Sequence, residues 1–248
     1  MDLPEVDEDA VEEFPEGSIV FTQGEDAACM YLVLEGKVDL RVGGASVASA
    51  GKGDVFGEMA LLDNSPRSAT AAALEDTRLL PVDRQRFEHM VRLTPGFARE
   101  VLRTMATRLR RMNEAAREAD PTPDSGSTMG LELGAVKVRQ PTFKAGEVIF
   151  QAGEPGEHMF IVQYGTVEVR VGKTVVHTIN TGGFFGEMAL VDAAPRSASA
   201  YATKDCRLLP IDRTRFEVLL ARTPDFALEV MRVMAGRLRR MNREGRKA

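Results

Sequence analysis

Phe56-Gly57-Glu58-Met59-Ala60-Leu61 recurs later in the chain as Phe185-Gly186-Glu187-Met188-Ala189-Leu190, and Pro66-Arg67-Ser68-Ala69 as Pro195-Arg196-Ser197-Ala198. Working outward, Phe14-x-x-Gly17 matches Phe143-x-x-Gly146, and Leu79-Leu80-Pro81 matches Leu208-Leu209-Pro210. Arg108-Leu109-Arg110-Arg111-Met112-Asn113 matches Arg237-Leu238-Arg239-Arg240-Met241-Asn242. One offset relates every pair, without a gap. A repeat this long, present twice, denotes duplicated domains, because solenoid repeats run to roughly 20–50 residues.

The joint between the copies is the Pro-, Gly-, Ser- and Thr-rich stretch 120–128, whose composition is that of a flexible linker. The expected organisation is a first domain over 1–119, this linker, and a second domain over 129–248. Leu131, Leu133, Val136 and Val138 alternate as a strand leading into the second copy would.

Within each copy the pattern changes once. From Gly17 to about Val82, glycines cut the chain into short apolar runs such as Met30-Tyr-Leu-Val-Leu and Val38-Asp-Leu-Arg-Val. Short strands with turn signals this dense predict a jelly-roll-like β-roll. After Asp83 glycine becomes rare. Phe97, Val101, Met105, Leu109 and Met112 then recur at helical spacing, as do Phe226, Val230, Met234, Leu238 and Met241. Each stripe predicts a long amphipathic helix. The fold class is therefore α+β, mainly β: two tandem β-rolls, each followed by C-terminal helices. The stripe has two possible partners. It packs on its own barrel, or the two helices pair as an intramolecular pseudo-dimer through Met105, Leu109, Met112, Met234, Leu238 and Met241.

The duplicated cassette joins devices suited to a sugar phosphate. Gly57 and Gly186 permit a sharp turn and close backbone approach. The apolar residues that follow suit a helical turn whose free N–H groups face an anion. Arg67 and Arg196, nine residues after the glutamates, can close over that anion with charge-assisted hydrogen bonds. Glu58 and Glu187 beside an anion make sense if each carboxylate accepts from a hydroxyl. A 3′,5′-cyclic nucleotide, with its single negative charge and free 2′-OH, fits that inventory.

The cassette resembles the phosphate-binding cassette of the cyclic-nucleotide-binding family, which includes bacterial catabolite-activator proteins, regulatory subunits of cAMP-dependent kinase and cyclic-nucleotide-gated channels. The resemblance covers nearly the whole chain. It implies that Glu58 and Glu187 hold the ribose 2′-OH, and that Arg67 and Arg196 hold the phosphate with help from Ser68 and Ser197. It further implies that backbone amides at Ala60 and Ala189 complete the cradle, with Met59 and Met188 among the ligand-binding residues, and that Gly57 and Gly186 approach the sugar. Met-Ala-x-Arg-Leu in the long helix is similar to the bacterial receptors. That places Met112 and Asn113, and Met241 and Asn242, at the base, either in their own site or in that of a partner. An Asn amide can both donate and accept at an adenine edge; a solvated helix face is the other account of both Asn residues. The expected ligand is cAMP, with cGMP as the alternative, two per chain, and no further cofactor.

Other signals carry less. Gly51-Lys52-Gly53 lacks the earlier Gly and the following Ser or Thr of a P-loop. His89, His158 and His177 lack metal-ligand spacing and have no counterparts in the other copy, and no nucleophile–His–acid set emerges, so no catalytic or metal residue is expected. Arg108-Leu-Arg-Arg and its copy are expected to be the solvated face of the helix rather than a nucleic-acid patch. The chain's net charge of −5 gives no general pull toward nucleic acid or membrane. No apolar run reaches the ~18 residues of a membrane span. Two unmatched cysteines, Cys29 and Cys206, suit a reducing, cytoplasmic compartment.

Taken as complete, the chain lacks a DNA-reading, channel or kinase-inhibitory segment, so its output is expected to be a contact with an effector protein. The family resemblance implies a relay from Leu61 to the helix near Phe87, and from Leu190 to Phe216. The expected function is a cyclic-nucleotide sensor, not an enzyme. A subunit inhibiting a kinase in trans and a ligand-free scaffold are the alternatives.

Overall fold

Each glycine-cut run of the first copy becomes a strand, in the order β1 (Glu12–Phe14), β2 (Ile19–Phe21), β3 (Cys29–Glu35), β4 (Lys37–Val42), β5 (Ala45–Gly51) and β6 (Val55–Phe56). The cassette helix α1 (Glu58–Asp63) follows, then β7 (Thr70–Ala73), β8 (Thr77–Asp83), α2 (Arg84–Leu93) and the long α3 (Pro95–Ala116). The second copy repeats this as β9 (Thr142–Phe143), β10 (Val148–Phe150), β11 (His158–Tyr164), β12 (Thr166–Val171), β13 (Thr174–Asn180) and β14 (Phe184–Phe185). Then come α4 (Met188–Asp192), β15 (Ser199–Ala202), β16 (Cys206–Asp212), α5 (Arg213–Arg222) and α6 (Pro224–Glu244). The computed structural model describes residues 8–116 and 139–244. The expected linker 120–128 and the expected strand 131–138 lie outside the described residues.

Each copy holds two four-stranded antiparallel sheets. In the first the orders are β1-β8-β3-β6 and β2-β7-β4-β5; in the second they are β9-β16-β11-β14 and β10-β15-β12-β13. The inner faces meet in one apolar cluster per roll. Tyr31, Val33 and Leu79 come from one sheet, and Phe21, Val38, Leu40 and Ala71 from the other. In the second roll Val162, Phe185 and Leu208 meet Phe150, Val167 and Ala200. Pro81 sits opposite Tyr31 on β8, beyond Leu79 where the pairing with β1 ends. Its missing N–H is therefore tolerated in a strand with a neighbour on one side there. Pro210 repeats the arrangement.

The change of period at Asp83 is a helix start with a cap. Asp83 accepts from Arg86 N at 2.8 Å, and Asp212 accepts from Arg215 N at 2.8 Å. Thr94-Pro95 and Thr223-Pro224 then divide each helical region in two. Proline disfavours the α conformation in the residue before it, and Thr94 (φ −127, ψ 86) and Thr223 (φ −132, ψ 80) have left it. Proline is at home as the first residue of α3 and of α6. The stripe is buried: Phe97, Val101, Met105 and Leu109 are inaccessible, as are Phe226, Val230, Met234 and Leu238. Phe97 packs edge-on against Phe87, and Phe226 against Phe216, each at 5.8 Å between ring centres.

The described residues form two compact units. One comprises those within Met1–Arg108 and Val230–Ala248, the other those within Leu109–Glu229. The end of α3 therefore belongs with the second β-roll, and most of α6 with the first. Among the described residues no helix is long and apolar enough to cross a membrane.

Candidate functional site

The cassette of the first unit rests on an aromatic stack, Phe21, Tyr31 and Phe56, with ring centres 5.5–6.1 Å apart. β6 ends at Phe56, and Gly57 takes φ 79, in the left-handed region. A Cβ there would lie 2.5 Å from Arg67 Nη1, so only glycine fits both the turn and the approach. α1 follows, and its third residue, Ala60, carries one of the N–H groups that a helix start leaves without an intrahelical acceptor. Asn64, at φ 52, then turns the chain back toward Pro66 and Arg67.

Arg67 is fixed from several sides. Its N–H donates to Glu25 O at 2.8 Å, and its carbonyl accepts from Gly24 N at 3.0 Å. Its guanidinium lies 3.9 Å over the Phe21 ring, and Nη1 donates to Gly57 O at 3.2 Å. The residue is 5% exposed, yet its buried Nε finds no acceptor among the described residues. Glu58 is 1% exposed. Its Oε1 accepts from Arg108 Nη1 at 2.7 Å, while Oε2 is buried without a hydrogen-bond partner among the described residues. Arg108 Nη2 also donates to Val55 O at 2.7 Å. Arg108 offsets the Glu58 charge, which leaves the buried Arg67 guanidinium, faced from its loop by the exposed Glu25 carboxylate. That balance is complementary to a monoanion that also carries a hydroxyl donor.

The second cassette is built alike. Gly186 has φ 81, and a Cβ on it would stand 2.7 Å from Arg196 Nη1. Arg196 lies 4.0 Å over Phe150. Nη1 donates to Gly186 O at 2.9 Å and Nη2 to His158 O at 2.6 Å, and the buried Nε again finds no acceptor among the described residues. Burial pulls the Arg196 guanidinium below its ordinary value, opposed by the charges of Glu187 and Glu154. An anion arriving here would offset that penalty with its charge. Glu187 is buried and has the right-handed helical conformation just ahead of α4. Arg213 Nη1 and Nη2 donate to Leu190 O and Ala189 O at 2.6 and 3.0 Å, tying the start of α5 to the cassette helix.

Ser68 Oγ lies 3.4 Å from Met59 Sδ, and Ser197 Oγ 3.8 Å from Met188 Sδ. Asn113 is buried within the second unit, where its Nδ2 donates to Ser197 Oγ at 3.2 Å. The first copy's asparagine thus stands at the second copy's cassette. Asn242 is half-buried.

The arginine-rich ends of the long helices differ from the solvated face expected of them. The Arg108 side chain is 11% exposed and pairs with Glu58. Arg110 pairs with Asp192, and Arg239 with Asp63. Arg111 is exposed. A buried carboxylate needs a compensating cation, so these arginines are drawn inward. Asp63 and Asp192 share the repeat offset of Arg110 and Arg239; that recurrence was the available signal.

The family model of the cyclic nucleotide-binding domain matches residues 11–93 and 140–223, more than half of the chain. The chain belongs to the cyclic nucleotide-binding domain family. Among curated proteins, this member of the family is similar to the cAMP-dependent protein kinase regulatory subunit of Debaryomyces hansenii. The two are 32% identical over 216 residues, 86% of this chain and 45% of that protein. It is also similar to the regulatory subunit of Yarrowia lipolytica, 30% identical over 86% of this chain and 54% of that one. The chain spans about half the length of the curated relatives it matches. Among solved structures, it is similar to the regulatory domain of Toxoplasma gondii PKA with cAMP. That match has 24% identity, a TM-score of 0.33, and covers 91% of this chain and 89% of the other.

Proposed function

We propose that each cassette binds one cyclic nucleotide, cAMP in preference to cGMP, and that the protein is a non-catalytic sensor in the cytoplasm. The observation that carries this reading is the buried couple of Glu58 and Arg67 around Gly57, with Glu58 Oε2 and Arg67 Nε both lacking partners among the described residues. Buried polar atoms without partners are costly. A ligand presenting a phosphate oxygen to the guanidinium and a hydroxyl to the carboxylate removes both costs. In this reading Glu58 and Glu187 take the ribose 2′-OH, and Arg67 and Arg196 take the phosphate beside Ser68 and Ser197. The N–H groups of Ala60 and Ala189 add to the cradle.

The preference for cAMP is supported by Asn113, whose buried Oδ1 has no hydrogen-bond partner among the described residues. An acceptor there suits the exocyclic amine of adenine, whereas guanine carries a carbonyl at that edge. Two free cysteines, Cys29 and Cys206, are consistent with a reducing compartment. The duplicated sequence repeats are taken as 1–119 and 129–248, joined by 120–128, while the compact units divide after Arg108 and before Val230.

Signalling requires that the nucleotide bind one arrangement of the C-terminal helices better than another. The output is a contact with an effector protein. The names of the fungal relatives favour a kinase catalytic subunit as that effector. Titration calorimetry with cAMP and with cGMP tests the binding. Heat is expected for cAMP at two sites per chain. Arg67→Glu together with Arg196→Glu should lower the affinity by about a hundredfold or more, from lost charge-assisted bonds and added repulsion. No heat from the unaltered protein with either nucleotide would leave a structural scaffold.

A further inference from the structure

Arg110, near the end of α3, lies in the same compact unit as the second cassette, and Arg239, on α6, in the same unit as the first. Their contacts repeat. Arg110 Nε donates to Asp192 Oδ2 at 2.9 Å, Nη2 stands 2.7 Å from the same oxygen, and Nη1 donates to Pro195 O at 2.7 Å. Arg239 Nε and Nη2 donate to Asp63 Oδ2 and Oδ1 at 2.6 and 3.0 Å, and Nη1 donates to Pro66 O at 2.7 Å. One planar fork holds a carboxylate and a backbone carbonyl together, a geometry that a lysine ammonium does not reproduce.

The carbonyl being held has a particular place. Pro66 and Pro195 immediately precede Arg67 and Arg196, so it belongs to the same peptide unit as the N–H of the cassette arginine. That N–H is taken by Glu25 O in the first unit and by Glu154 O, at 2.9 Å, in the second. The peptide plane ahead of each cassette arginine is therefore held at both edges. One edge is held by a loop of the same repeat, the other by the long helix of the other repeat. The pairs are largely shielded: the Arg239 and Asp63 side chains are 12% and 20% exposed. They are unlike the open surface ion pairs that contribute little.

We propose that Arg110 and Arg239 are positioning residues for nucleotide binding at the other repeat's cassette, Arg110 setting Arg196 and Arg239 setting Arg67. The proposal rests on the reading of Arg67 and Arg196 as phosphate ligands. A guanidinium whose backbone is already fixed pays less ordering entropy when the anion arrives. Freeing the carbonyl and Asp192 leaves the loop to be ordered by the ligand itself.

The test uses the full chain in two single-site backgrounds, Arg67→Glu, which leaves the second cassette intact, and Arg196→Glu, which leaves the first. Affinity for cAMP is measured by calorimetry. Arg110→Met should weaken binding about tenfold or more in the Arg67→Glu background and leave the Arg196→Glu background unchanged. Arg239→Met should do the reverse. Arg110→Lys, whose ammonium does not hold the carboxylate and the Pro195 carbonyl together, should weaken binding less than Arg110→Met. A general loss of folding would not be confined to one site. Equal weakening of both sites, weakening of the wrong one, or no weakening overturns the proposal. If neither background binds the nucleotide, the phosphate reading itself has failed. Amide exchange then decides on the clamp: Arg110→Met should speed exchange of the Arg196 N–H about tenfold or more and leave Arg67 unaffected. An unchanged Arg196 rate would overturn the clamp as well.

Discussion

Replacing Arg108 by methionine keeps an unbranched stem of similar length and removes the charge that faces Glu58. Arg108 Nη1 lies 2.7 Å from Glu58 Oε1, Nη2 lies 2.7 Å from Val55 O, and Glu58 is almost wholly buried. Removing one partner of a buried pair leaves the other charge uncompensated, at a cost of about 3–5 kcal/mol. With a urea slope of about 2 kcal/mol per molar, the unfolding midpoint of the first unit should fall by roughly 1.5–2.5 M. The chain has no tryptophan, so circular dichroism follows the transition. Glu58→Gln added to Arg108→Met removes the stranded charge and should return most of the loss, because neutralising both members of a buried pair costs far less than breaking it. A midpoint within about 0.3 M of the unaltered protein would refute the argument. So would a double variant with the summed loss of the two single changes, since paired residues are not additive.

Three further outcomes are expected. Gly57→Ala puts a Cβ 2.5 Å from Arg67 Nη1 at φ 79. Strain of about 1–2 kcal/mol and a displaced guanidinium should lower cAMP affinity about tenfold or more at the first cassette, read by calorimetry with the second site disabled by Arg196→Glu. Ala193 holds φ 54 where the first repeat has Asn64. Ala193→Asn should therefore add about 0.5–1 kcal/mol of stability, seen as a melting temperature higher by a few degrees. Burial pushes the Asp39 carboxyl up, but hydrogen bonds from Ser46 Oγ and Arg41 Nε, both 2.6 Å, outweigh it and hold the group below the ordinary carboxylate value. A depressed folded value contributes stability that is complete above about pH 4 and is lost as pH falls through the folded value. Asp39→Asn should flatten that acid limb, measured as urea midpoints between about pH 5 and pH 2.5.

The β-rolls were legible because their turns are written in glycine and their strands in short apolar runs. The division at Thr94-Pro95 was not among the expectations, although proline alone accounts for it. The cassette was legible because Gly57, Glu58 and Arg67 recur together as Gly186, Glu187 and Arg196, and the structure gathers each set around its glycine. The destination of the long-helix side chains was hidden. Amphipathic periodicity fixes which face is buried and does not name the partner, so Arg108 and Arg110 read as a solvated run when each in fact meets a carboxylate. Asn113 gave no local sign that it would stand beside Ser197 rather than Ser68. Such contacts between residues far apart in sequence depend on where a helix ends up. Aspartates recurring at the arginines' own offset were the surviving trace.

Membership of α6 in the first unit has a consequence for how the protein is born. Most proteins complete their N-terminal domain while the ribosome is still at work on the rest, at about 5–20 residues per second. Here the first β-roll lacks residues from Val230 onward until the second has been made. The second β-roll, whose residues end at Glu229, is fully translated earlier. The older half of the nascent chain must therefore wait on the order of ten seconds for its last helix, and a truncation just before Val230 would injure the part translated first.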